Sequence, residues 1–83
     1  MNKKIRDLLG EFGRLPCDVA KLGNEADLYA AGLSSFASVQ LMLGIEEAFD
    51  IEFPERMLNR RSFSSISAIE QAVAELLAPK VPA

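Results

Sequence analysis

The run from Ser35 to Asp50 constrains this chain more than any other, because it carries two apolar stripes where one is usual. At about 100° per residue, Leu41, Met42, Ile45, Ala48 and Phe49 gather on one face of a helix. Phe36, Val39 and Leu43 gather nearly opposite, flanked by Gln40 and Glu47. A helix on the outside of a small domain needs only one apolar face. The run is therefore either a central helix covered on both sides or one that leaves a greasy strip open for a partner. Asp50-Ile51-Glu52-Phe53-Pro54 ends it.

The approach to this helix is equally specific. Gly32-Leu33-Ser34-Ser35 places a glycine turn and two serines directly before the apolar run. Serine is favoured where its oxygen can accept from the orphan N–H groups of a first turn. The same donors and the positive end of the helix dipole make the spot a natural seat for a phosphate. A serine here serves as a cap or as the attachment point of a phosphorylated group, and local pattern alone leaves both open.

Two further long helices complete the reading. Ile5, Leu8, Leu9 and Phe12 follow helical spacing over residues 2 to about 14, with Gly13 and Pro16 as stops. Ile66, Ile69, Val73, Leu76 and Leu77 form the stripe of a last helix that begins near Ser64 or Ser65, with Ser62 or Ser64 as its cap, and that ends at Pro79. Between Pro54 and Asn59 a brief helix is expected, with Met57 and Leu58 turned inward. The connection from Arg14 to Leu33 is long for a compact domain. It needs plugs, and Leu15, Val19, Leu22, Leu28, Tyr29 and Leu33 supply them, with a helical turn near Asp18–Leu22 and Asp27 capping a turn. Alternating strand patterns are nearly absent. The fold class is all-α: a four-helix bundle of three long helices and one short one with a long first loop. Residues 1–78 make one domain, and 79–83 a short tail.

An 83-residue chain buries only about 60–65% of its unfolded surface, so its core is thin. It has no histidine and one cysteine, Cys17, which removes the usual zinc sets and the commonest catalytic triads. Cys17 reads as a packing residue or a bystander, and a single cysteine fits a reducing cytosol. Glu46, Glu47 and Asp50 lie on a helix surface, where paired catalytic carboxylates lack the cleft they need. The glycines match neither the Walker nor the Rossmann phosphate loop. A non-enzyme is expected. The net charge of −3 argues against nucleic acid as a partner. No apolar run is long enough to span a bilayer. Arg56, Arg60 and Arg61 form a small basic cluster, either a solvated loop balancing nearby glutamates or a contact for acidic groups on a partner.

The chain resembles the acyl carrier proteins, helical domains that bear a phosphopantetheine arm on a serine. The family pattern Gly-x-Asp-Ser-Leu, followed by Val, Leu, paired Glu, Phe and Ile-Pro, is met by Gly32, Ser34-Ser35-Phe36, Val39, Leu41, Glu46-Glu47, Phe49 and Phe53-Pro54. The register runs without a gap from Leu28 to Pro54 and more loosely to Val73. Ser34 stands where the family has Asp, and Phe36 where it has Leu. The stretch from Asp27 to Asp50 is most similar to the stand-alone aminoacyl carrier proteins of alpha-proteobacteria.

The resemblance implies that Ser35 is the modified residue, with Ser34 as helix cap. A phosphopantetheinyl transferase attaches 4'-phosphopantetheine from coenzyme A, and an amino acid:[carrier protein] ligase loads a small activated amino acid on it as a thioester. Phe36, Val39 and Leu43 would dock on these enzymes, with Gln40, Glu46, Glu47 and Arg56 setting orientation. The protein would act in the cytoplasm as a monomer. Two alternatives stay open: a fatty acyl or polyketide carrier, whose cargo would need an apolar cavity, and an unmodified helical interaction module.

Overall fold

The structure is a computed structural model that describes residues 1–16 and 18–77. Cys17, the boundary expected at residue 78 and the tail after it lie outside the described residues. Three α-helices form: α1 (Asn2–Phe12), α2 (Ser35–Phe49) and α3 (Ile66–Leu77). Three 3-10 turns join them, at Val19–Lys21, Glu55–Met57 and Arg60–Phe63. The apolar stripes meet in one core, where Ile5 and Leu9 of α1, Leu41 and Ile45 of α2, Ile66, Ile69 and Val73 of α3, and Leu28 of the loop are fully buried.

The first helix closes two residues earlier than the expected end near residue 14. Gly13 keeps right-handed geometry, and the left-handed turn falls on Arg14 at φ 52°. The long connection is then strapped down from both sides. The Arg6 guanidinium donates to the carbonyls of Val19 (2.8 Å) and Leu22 (2.7 Å), and to the side-chain oxygens of Asn2 (2.8 Å) and Asn24 (2.8 Å). The Asn24 carbonyl accepts from Ser67 N (2.9 Å), and Leu28 N donates to the Ser64 carbonyl (2.8 Å), so the loop also satisfies the entry to α3. The expected turn forms at Val19–Lys21 with Asp18 as its cap, and the Asp27 carboxylate accepts from Tyr29 N and Ala30 N. These bonds explain how a connection of such length holds its shape. Replacing Arg6 by methionine keeps the stem but strands two carbonyls. It should lower the unfolding free energy by about 2 kcal/mol, read as a shift of the urea midpoint with an unchanged slope.

The second helix leaves its core by a left-handed residue, Asp50 (φ 55°), and Ile51 N returns to the Glu46 carbonyl at 3.0 Å. This is the Schellman arrangement that commonly ends a helix. Of the inward stripe expected on α2, Leu41 and Ile45 are buried, Met42 and Phe49 half-buried, and Ala48 exposed. Gly44 faces α1 so closely that a Cβ there would come within 2.5 Å of the Phe12 ring.

The short helix expected between Pro54 and Asn59 forms as a 3-10 helix, Glu55–Met57, with Pro54 as its cap, and a second 3-10 turn follows at Arg60–Phe63. Met57 is buried as expected, but Leu58 points outward and is half exposed, because a single tight turn cannot bring both side chains to the core. Phe53 and Phe63 close that end edge to face, 5.4 Å between ring centres. The cap of α3 is Ser65, whose oxygen accepts from Ala68 N at 3.0 Å, and not Ser62 or Ser64. The hydroxyls of those two bond within the preceding turn, to Asn59 Oδ1 and the Arg61 carbonyl. Leu77, placed in the α3 stripe by spacing, is exposed in the last turn. No helix among the described residues is long and apolar enough to cross a membrane.

Candidate functional site

The turn ahead of α2 is set by Gly32, whose φ of 121° is open to few other residues. A Cβ at this position would also stand 2.8 Å from Pro16 Cδ. Gly32→Ala should therefore cost about 1–3 kcal/mol in thermal or chemical unfolding. Buried Leu33 anchors the chain directly after this turn, and its N–H donates to the Leu28 carbonyl at 2.9 Å. The next residue, Ser34, is extended (φ −80°, ψ 164°), and its Oγ accepts from Ala37 N at 3.0 Å. That is the geometry of a capping serine.

With Ser34 as cap, Ser35 becomes the first residue of the helix. It is exposed, and no hydrogen bond among the described residues engages its hydroxyl. Ala37 N is taken by the cap and Ser38 N by the Ser34 carbonyl (2.9 Å). The N–H groups of Ser35 and Phe36 are then the first-turn donors without an intrahelical partner, at the positive end of the α2 dipole. An exposed nucleophilic oxygen and two open N–H groups thus share one helix mouth, a setting that suits a phosphodiester. Ser38 steadies the same turn, its hydroxyl donating to the Ser35 carbonyl at 2.7 Å.

The outer stripe of α2 starts beside that oxygen and faces outward. Phe36 is 71% exposed, Val39 49% and Leu43 51%. The structure thereby decides between the two readings of a doubly apolar helix: only one stripe is covered by this chain. On one side of the stripe lies an open groove of about 380 Å³ whose walls include Ser35, Ser38, Val39, Met42, Leu58 and Arg60. On the other side a smaller hollow, about 210 Å³, runs between α1 and α2 and contains Phe36, Gln40, Glu11 and Arg14.

The polar residues expected to orient partners have diverse placements. Gln40 is half-buried in the smaller hollow, and Glu47 is exposed. The Glu46 carboxylate accepts from Phe53 N at 2.8 Å, which pins the exit of α2. Arg56 pairs with Glu75 of α3 at 3.0 Å, so it is not balanced by the glutamates near it in sequence. It lines a hollow with Arg61 and Gln71, apart from the groove that contains Ser35. The basic residue beside Ser35 is Arg60, stacked on Tyr29 with 4.0 Å from guanidinium carbon to ring centre. Sequence reading singled out neither Arg60 nor Tyr29 for this position, because they lie far apart in the chain and only folding joins them. Leu58, expected in the core, turns outward instead and supplies a groove wall.

Comparison with known proteins agrees with this geometry. The family model for the phosphopantetheine attachment site matches residues 3–73. The aminoacyl carrier protein of Agrobacterium fabrum is 68% identical over 77 residues, covering 93% of each chain. Aminoacyl carrier protein 1 of Bradyrhizobium diazoefficiens is 36% identical over 81 residues, 98% of this chain and 86% of that one. Among solved structures, an engineered Bradyrhizobium japonicum glycine:[carrier protein] ligase complexed with the carrier protein from Agrobacterium tumefaciens and AMP gives a TM-score of 0.86 at 70% identity, covering 88% of this chain and 97% of the matched one. The Bradyrhizobium japonicum glycine:[carrier protein] ligase complexed with glycylated carrier protein gives 0.73 at 30% identity, covering 86% and 95%. The exposed serine at the mouth of α2, the open apolar stripe beside it and these matches together place the chain in the phosphopantetheine-attachment family, among the aminoacyl carrier proteins.

Proposed function

We propose that this protein carries 4'-phosphopantetheine on the Ser35 oxygen and presents a small amino acid, glycine or one of similar size, to successive enzymes. The observation that carries this reading is the exposed, unengaged Ser35 hydroxyl at the helix mouth, directly beside uncovered Phe36, Val39 and Leu43. The residues present fit the group: Ser35 offers the oxygen, and the N–H groups of Ser35 and Phe36 offer donors to the phosphodiester anion. When bound, the arm supplies a terminal thiol that holds the amino acid as a thioester. Nothing in the site activates the Ser35 hydroxyl, so a separate transferase must catalyse the attachment. The protein presents and does not catalyse, acting as a monomer in the cytoplasm.

Within this reading Phe36, Val39 and Leu43 bury apolar surface on the transferase and on an amino acid:[carrier protein] ligase. Gln40 and Glu47 flank that stripe as orienting contacts of the kind that tune on-rate and specificity more than affinity, while Arg56, paired with Glu75, would meet a partner only at the separate hollow beside α3. Glu46 contributes mainly by holding the end of α2. A small cargo suits the bundle: Leu41 and Ile45 are fully buried on the inward face of α2, while the space beside Ser35 is an open groove. The test is charging. The phosphopantetheinylated protein, incubated with ATP, glycine and a glycine:[carrier protein] ligase, should form a hydroxylamine-labile glycyl adduct. Charging by fatty acyl ligases alone would favour the acyl-carrier alternative.

A further inference from the structure

We propose, building on the carrier function above, that the groove beside Ser35 sorts the carrier's states by charge. It takes in an uncharged arm and turns away the ammonium of an aminoacyl group, with Arg60 as the discriminating residue. The groove begins at the attachment point, since Ser35 is part of its wall, and its volume of about 380 Å³ is that of a small-ligand site. Val39, Met42 and Leu58 make its walls largely apolar, and no carboxylate among the described residues lines it. Among the described residues its one charged side chain is Arg60, and the Tyr29 ring face holds that guanidinium in place. The ion pairs among the described residues leave Arg60 uncompensated.

These features act in opposite senses on the two states. A free thiol or a neutral acyl end leaves water for apolar walls. An aminoacyl end brings a cation that would lose water, find no carboxylate and meet a like charge. Repulsion between two such charges a few ångströms apart in a partly wet groove amounts to roughly tenfold in occupancy. Loading would thus move the tip of the arm outward, toward the enzyme that consumes the amino acid, while an empty arm rests against the carrier. Arg60 is a positioning residue in this scheme and makes no bond in the transfer itself.

The test uses the whole protein with three arms, each verified by intact mass: free thiol, acetyl and glycyl, the last two joined by an amide so that neither is lost. At about pH 6, below the ordinary α-amino range, the glycyl amine is cationic. The expected result is that thiol and acetyl arms shift the NMR signals of Val39, Met42 and Leu58 relative to the unmodified protein, and that the glycyl arm leaves them nearly unmoved. In Arg60→Gln the glycyl arm should shift them as the acetyl arm does, and Arg60→Lys should restore exclusion. Raising salt to about 1 M, where the screening length falls to about 3 Å, should weaken the exclusion in the wild type. Equal shifts from glycyl and acetyl arms in the wild type would overturn the proposal. So would exclusion that persists undiminished in Arg60→Gln, or a groove that no arm perturbs. If no arm adds to Ser35, the missing mass shows before any spectrum is taken and contradicts the carrier function as well.

Discussion

Cutting Phe36 back to alanine will lower kcat/KM for ligase charging of the phosphopantetheinylated protein by about thirtyfold or more, corresponding to roughly 2 kcal/mol of lost docking energy. Phe36 is an aromatic side chain with nearly three-quarters of its surface in water, one residue from the attachment point and at the head of the uncovered stripe. Nothing in the fold needs it there, so unfolding measured in urea should be unchanged or slightly harder. Its truncation should act on KM and on the off-rate of the complex, because exposed aromatic anchors contribute most when a partner desolvates them. Leu41, five residues on and facing inward, gives the opposite pattern. It is fully buried, and Leu41→Ala should cost about 2–5 kcal/mol of stability through lost transfer energy and the cavity left behind. The two substitutions on one helix separate docking surface from core.

The second large effect is expected at the pair of serines. Ser35→Ala removes the attachment oxygen, and charging should fall to background, while unfolding free energy moves by no more than about 0.5 kcal/mol because the lost hydroxyl is exposed and unengaged. Ser34→Ala should do the reverse. It leaves Ala37 N without its side-chain acceptor and should cost about 1 kcal/mol in urea, yet the protein should still take the arm. A preserved arm in Ser35→Ala, or a silent Ser34→Ala in unfolding, would show that the adjacent hydroxyls do not divide the work in this way.

The helix start is legible in the sequence because it rests on local rules, whereas the choice of Ser35 over Ser34 as attachment point comes from the family register. The order glycine, apolar anchor, capping serine, helix is written in consecutive residues. So are the two stripes of α2, the turn near Asp18–Leu22 and the Asp27 cap. Spacing also showed that one stripe was surplus, though it could not say whether the chain itself covered it. What stayed hidden depends on partners distant in the chain. The Arg6 strap needs the loop carbonyls of Val19 and Leu22, and Arg60 lines the Ser35 groove stacked on Tyr29, a residue far away in the chain. Periodicity misleads at Leu58, since the brief helix expected over residues 54–59 is a single tight 3-10 turn that leaves that side chain outward. The α3 cap was missed among neighbouring serines for a similar reason. Ser62 and Ser64 satisfy their hydroxyls in the preceding turn and leave Ser65 to the helix.

The central claim is that one hydroxyl at the mouth of α2 receives the arm. The wild-type protein, incubated with coenzyme A and a promiscuous phosphopantetheinyl transferase, should be digested and its modified peptide sequenced by mass spectrometry. The expected result is a single phosphopantetheine addition, with fragment ions that place it on Ser35. An unmodified protein, or an addition that maps to Ser34 or Ser38, would contradict it.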